Sequence, residues 1–203
     1  MTMRTTTSLY DTYEDAVGTV GDLEAAGIPA NDISIVANRG ASPAIATVEE
    51  PRHAASGAAT GATVGAVVGA GAALLAGLGI LAIPGIGPVV AAGWLVATLA
   101  GAGTGAAAGG LLGALTGAGV KEEQAHVYAE SIRRGATLVA VRADEMRIGM
   151  IDAIMRRHNP VDAAVRGSAF RGAGWTVFDH KGGPYAASEV EQQRIRDLHN
   201  LRI

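Results

Sequence analysis

The sequence predicts an α+β fold: a ferredoxin-like β-α-β-β-α-β domain interrupted by a long Gly/Ala-rich α-helical hairpin (a glycine zipper), with a C-terminal arm. Three observations predict it. The 16 Lys+Arg and 19 Asp+Glu of the 203 residues all lie outside His53 to Val120, so 68 consecutive positions carry no formal charge. Eighteen of the 29 glycines fall between Gly57 and Gly119. On both sides of that stretch, short apolar runs alternate with amphipathic helical patterns. The boundaries follow: 1–52 is the first half of the domain with its linker, 53–120 the hairpin, 121–167 the second half, and 168–203 an extension.

The elements of the first half run in order. Thr5 to Tyr10 is a short β-favouring run. Asp11-Thr12-Tyr13-Glu14 has the D-x-x-E form of a capping box, in which two side chains satisfy each other's free backbone N–H. The helix behind it buries Tyr13, Val17, Val20 and Leu23, spaced at three or four, and Gly27 ends it. Ile33 to Ala37 is a strand, and Gly40 to Pro51 is a linker.

In the second half, Lys121 to Arg134 is a helix with acidic residues in its first turn and Arg133 and Arg134 in its last, as the macrodipole favours. Thr137 to Val141 is a strand, Asp144 to Arg157 a helix, and Val161 to Val165 a last strand. His158 after the two arginines suits a helix C-terminal cap. Gly172 to Phe178 reads as an extended arm, and Glu189 to Leu201 as a short charged helix.

Between the halves, glycines recur at Gly57, Gly61, Gly65 and Gly69, with Ala73 and Gly77 continuing the row. A second row runs Gly93, Ala97, Gly101, Gly105, Gly109, Gly113, Gly117. Pro84, Gly85, Gly87 and Pro88 mark a turn at about 83–88. A glycine costs about 1 kcal/mol against alanine inside a helix, so each row is a local penalty that something must offset. Residues four apart form one ridge, and a bare ridge lets another backbone approach closely. The arms Gly57–Ala82 and Val89–Ala118 would run to about 39 and about 45 Å at 1.5 Å per residue, more than the roughly 30 Å of a hydrocarbon core. A membrane hairpin is therefore the first expectation, and a lipid-free assembly with a shared apolar core the second. Because an i+4 row winds around its helix, one intrachain neighbour cannot consume it, which points to a homo-oligomer. Both ends of the hairpin join one soluble domain, so the uncharged turn is the part expected to cross. Arg52 and Lys121 at the mouths fit a cytoplasmic domain on the inner membrane.

The rest of the sequence bounds the chemistry. A net charge of −3 with scattered basic residues points to no nucleic-acid partner. With no cysteine, thiolate metal sites and cysteine nucleophiles are excluded. His53, His126, His158, His180 and His199 lack metal-ligand spacing. No serine stands in a G-x-S-x-G context, and no glycine run has the Lys-Ser/Thr of a phosphate loop. No catalytic, cofactor or metal residues are expected, nor is any small-molecule substrate identified. Asp179 to Pro184 is a polar turn among Trp175, Phe178 and Tyr185.

The outer domain resembles the bacterial general stress protein family, whose heat-induced, YflT-type members name the domain. The residues that carry this are Leu9 to Ala16, Leu23 to Gly27, Asp32 to Val36, Gly119 to Glu130, Arg133 to Val141 and the helix to His158. The resemblance covers roughly residues 4–166 and many members carry a Gly-rich membrane-type hairpin at this place. It implies a stress-linked, membrane-associated protein with no family active site to transfer. The function expected is thus a non-enzymatic, stress-associated membrane or self-assembling structural protein. The alternative is a membrane-anchored regulatory ligand-binding module.

Overall fold

The computed structural model describes residues 3–40, 45, 78–101, 110–183 and 185. Five antiparallel strands form one sheet: β1 (Met3–Tyr10), β2 (Ile33–Asn38), β3 (Gly79–Ile83), β4 (Gly87–Gly93) and β5 (Thr137–Asp144). Their order is β1-β5-β2-β4-β3. Among the described residues six α-helices accompany them: α1 (Tyr13–Ala25), α2 (Trp94–Gly101), α3 (Gly110–Gly117), α4 (Glu122–Arg133), α5 (Glu145–Met155) and α6 (Ala163–Gly172).

The two halves of the outer domain meet in the centre of the sheet. β5 pairs with β1 from Met3↔Asp144 to Tyr10↔Thr137, and with β2 from Ile33↔Val141 to Ala37↔Thr137. Leu138 to Val141 are all buried because the sheet is covered on both faces. Alternate residues divide between the layers. Tyr10, Ile33, Ile35, Val139 and Val141 pack with Val20 and Leu23 of α1 and Ile151 and Met155 of α5. Leu9, Val36, Leu138 and Ala140 pack with Leu95 of α2, Leu111 and Leu115 of α3, and Tyr128 and Ile132 of α4.

Several expectations are corrected here. Gly79–Ile83 and Gly87–Gly93 are strands, so a continuous helical hairpin from 53 to 120 is not what forms. A continuous apolar run has no periodicity that separates strand from buried helix. Here Val89 to Gly93 extend the sheet by pairing with Asn38 to Ser34 of β2. The turn is where the sequence placed it, but it is a β-turn, with Ile86 N–H donating to the Ile83 carbonyl at 3.0 Å. Ile83 and Ile86 at the turn are buried against the domain, while Pro84 and Pro88 are exposed. The sheet accordingly has five strands rather than four. Val161 to Val165 is not a strand. Val161 makes one antiparallel bridge to Leu9, and α6 starts two residues later because Asp162 caps it, accepting from Ala164 and Val165 N–H at 2.7 and 3.0 Å. The cap of α1 is Thr12 rather than Asp11. Its hydroxyl accepts from Asp15 N–H at 3.1 Å and donates to the Asp15 carboxylate at 2.6 Å. The helix expected at Glu189 to Leu201 lies outside the described residues.

β4 passes into α2 without a loop. Ser34, buried on β2, accepts from Leu95 N–H at 3.0 Å and so caps the new helix from the neighbouring strand. That one hydroxyl fixes where the second part of the charge-free stretch leaves the sheet.

Candidate interaction surface

Of the glycines that the sequence placed on two helical ridges, the described ones stand on β4, α2 and α3. Gly57, Gly61, Gly65, Gly69, Gly77, Gly105 and Gly109 lie outside the described residues. Gly93 ends β4 in the left-handed region, and Gly101 ends α2. Gly113 and Gly117 stand one turn apart on α3, and Gly110 begins that helix. A β-carbon added at Gly110, Gly113 or Gly117 would meet no atom of the described residues within 4 Å. The opposite side of the same helix, Leu111, Ala114 and Leu115, is buried on α4 and the sheet. α3 therefore has a leucine face turned inward and a bare glycine ridge turned away. Pro84, Gly85, Gly87 and Pro88 come together at the β3–β4 turn, with Gly85 and Gly87 both at positive φ.

A second cluster sits at the C-terminal end of α4. The Glu130 carboxylate, 1% exposed, accepts from Arg133 Nε at 2.9 Å and Nη2 at 2.8 Å, and from Arg134 Nε at 2.6 Å. Two guanidinium groups thus share one buried carboxylate, leaving a local positive charge at a helix C-terminus, the end that favours cations. Aromatic faces complete the cluster. Arg134 lies 4.5 Å from the Phe170 ring centroid and 4.9 Å from that of Tyr185, and Arg133 lies 5.3 Å from Tyr185. The sequence signalled these residues only as an arginine pair and a polar turn near aromatics, and nothing in their spacing joined the two.

His158 is not a simple helix cap. The residue in the left-handed region is Asn159. His158 Nε2 reaches Asp22 Oδ2 of α1 at 3.0 Å, tying the end of α5 to α1. The expected arm at 172–178 folds back over α6. Trp175 N–H donates to the Phe170 carbonyl at 3.0 Å, their rings meet edge to face at 5.7 Å, and Phe178 is buried. Among the described residues no three His, Asp or Glu side chains group as metal ligands, and no helix is long and apolar enough to cross a membrane.

Burial raises the pKa of three tyrosines, Tyr10, Tyr13 and Tyr128. Tyr13 moves most, to about 12, with the Glu14 charge adding to the effect. Tyr128 of α4 accepts a hydrogen bond from the Thr7 hydroxyl of β1 at 3.1 Å. These are neutral core phenols that hold the sheet layers, not groups poised for proton transfer near neutral pH. Scanned against protein-family models, curated proteins and solved structures, the chain matches none.

Proposed function

We propose that this chain is a non-enzymatic, self-associating structural protein in which the sheet domain carries the Gly/Ala-rich stretch as its assembly element. One observation carries the reading: the ridge of Gly113 and Gly117 is bare while the leucines of the same helix are packed inward. Each glycine there costs about 1 kcal/mol of helix stability against alanine. Nothing among the described residues approaches closely enough to require it. Close approach of another copy's backbone supplies the missing reason.

The β1-β5-β2 frame supports reading the outer part as a ferredoxin-like unit. α1 joins β1 to β2, and α5 follows β5 and leads to Val161 beside Leu9. β3 and β4 are then additions supplied by the insert. The resemblance to general stress proteins supports a stress-linked role at the inner membrane, with the sheet domain cytoplasmic. In that role lipid meets the charge-free residues 54–77 and 102–109, rather than the turn or the packed leucines of α2 and α3. A cytoplasmic, lipid-free assembly is the second form of the same reading.

The test is to float purified, detergent-free protein with liposomes on a density gradient and size every fraction. Wild type is compared with Gly113→Leu/Gly117→Leu and with Gly65→Leu/Gly109→Leu. Large particles that shrink in both variants, with unchanged circular dichroism, support glycine-ridge assembly. Particles of unchanged size sink it. The position of the wild-type band separates the membrane form from the lipid-free one.

A further inference from the structure

After α6 the chain returns across the molecule, and its contacts fall on the β3–β4 hairpin. Phe178 is buried in the cluster that holds Ile83 and Ile86. The approach to the turn is close. A β-carbon on Gly85 would stand 2.5 Å from the Asp179 carbonyl oxygen, 2.8 Å from His180 Cα and 2.9 Å from Phe178 Cζ. The chain then reverses at Asp179–Gly182, where the Asp179 side chain accepts from Lys181 N–H at 2.8 Å and its carbonyl from Gly182 N–H at 3.2 Å. Beyond it the Gly183 carbonyl accepts from Arg133 Nη1 at 3.5 Å, and Tyr185 lies against both arginines.

We propose that residues 175–183, with Tyr185, are a latch that holds the β3–β4 hairpin against the sheet, and that its release frees the hairpin locally. The segment is built for release. Among the described residues it has no strand pairing, Trp175 ties its start to Phe170, and beyond that Phe178 is its one buried ring, while Val177 beside that ring is exposed. Its far end includes guanidinium–aromatic contacts of Tyr185 with Arg133 and Arg134 and one long hydrogen bond from Arg133 to the Gly183 carbonyl. Among the described residues β3 is the last strand of the sheet and pairs only with β4. Removing Phe178 therefore opens the apolar side of the turn at the least supported edge. The link from latch to assembly rests on the proposed function above.

Hydrogen–deuterium exchange on the full chain tests this from both sides of the contact. Phe178→Ala removes the anchor, and Gly85→Ala pushes the tail away but also strains the turn at φ 79°, so the Phe178 variant is the one that reads the latch alone. Amides of 79–93 are expected to exchange roughly tenfold faster in both variants, with those of β1 and β5 unchanged. Phe178→Leu, which keeps an apolar side chain, should stay near wild type. Exchange that rises evenly through the sheet shows an ordinary core residue and overturns the latch, as does no change at 79–93. The same samples are sized. Faster hairpin exchange with larger particles supports both ideas, whereas faster exchange at constant size keeps the latch and removes the assembly reading.

Discussion

Gly93 and Ile33 cross so closely that a β-carbon on residue 93 would overlap the Ile33 carbonyl oxygen and stand 2.6 Å from Ser34 Oγ. With φ at 91°, Gly93 also occupies backbone space that other residues enter only with strain. The glycine is therefore required by the strand-to-helix passage rather than by a helix ridge. Gly93→Ala should cost about 3 kcal/mol, read as a lower urea midpoint. Gly113→Ala, where an added methyl meets no described atom within 4 Å, should instead gain up to about 1 kcal/mol in the dispersed protein. Equal midpoints for the two would contradict the β4 assignment.

Glu130 predicts a second large effect. Removing a buried carboxylate strands both arginines at the end of α4 and loosens their stacking on Phe170 and Tyr185. Glu130→Ala should destabilise by about 3 kcal/mol. The exposed pair Arg4–Glu145, at 3.0 Å, serves as the control, with Glu145→Ala costing less than about 1 kcal/mol. Thermal melts of both variants compare the two, and a Glu130 loss no greater than the Glu145 loss would show that the cluster carries no stability.

Gly18 and His158 form a coupled pair. A methyl on Gly18 would lie 2.9 Å from His158 Nδ1, while Nε2 holds Asp22 at 3.0 Å. Gly18→Ala alone should bring little benefit, because the helix gain is offset by displacing the imidazole. In a His158→Ala background the same change should recover about 1 kcal/mol. A double-mutant cycle should therefore return a coupling of at least about 0.5 kcal/mol, and additivity would refute the contact.

Alkaline pH should unfold the protein through its core phenols. Tyr13 titrates at about 12 in the fold against 10.0 when solvated, so the native state holds this proton more tightly than the unfolded chain. Its contribution is complete below pH 10.0 and is lost as pH rises toward about 12. Up to about 2.5 kcal/mol disappears across that interval. Urea midpoints measured through this range should fall, and Tyr13→Phe should flatten the slope in part, since Tyr10 and Tyr128 are raised as well. A slope unaffected by Tyr13→Phe would show that the phenol is solvated.

The outer helices and strands were legible because each carries its own period and stop signal. Val17, Val20 and Leu23 mark a helix face, Gly27 and Gly135 end helices at positive φ, and Leu138 to Val141 mark a central strand. Val161 misled because a β-branched residue beside a proline reads as a strand start, whereas Asp162 was already capping the next helix. The turn at Pro84–Pro88 was legible, but what it joins was not. Ile80, Leu81, Val89 and Val90 suit a lipid-facing helix and a sheet interior equally well.

What the sequence determined by itself is local and compositional: the charge-free 68 residues, the outer elements, the turn and the absence of cysteine chemistry. These follow from side-chain type and short-range spacing, which act within a turn or two of chain. The tertiary structure alone decided that β4 completes the open edge of β2, that Ser34 caps α2, and that Phe178 and Tyr185 return to Gly85 and Arg133. Those contacts join residues about 50 or more positions apart. Their free energy comes from covering a specific apolar surface and satisfying specific backbone groups, and neither exists until the rest of the sheet has formed.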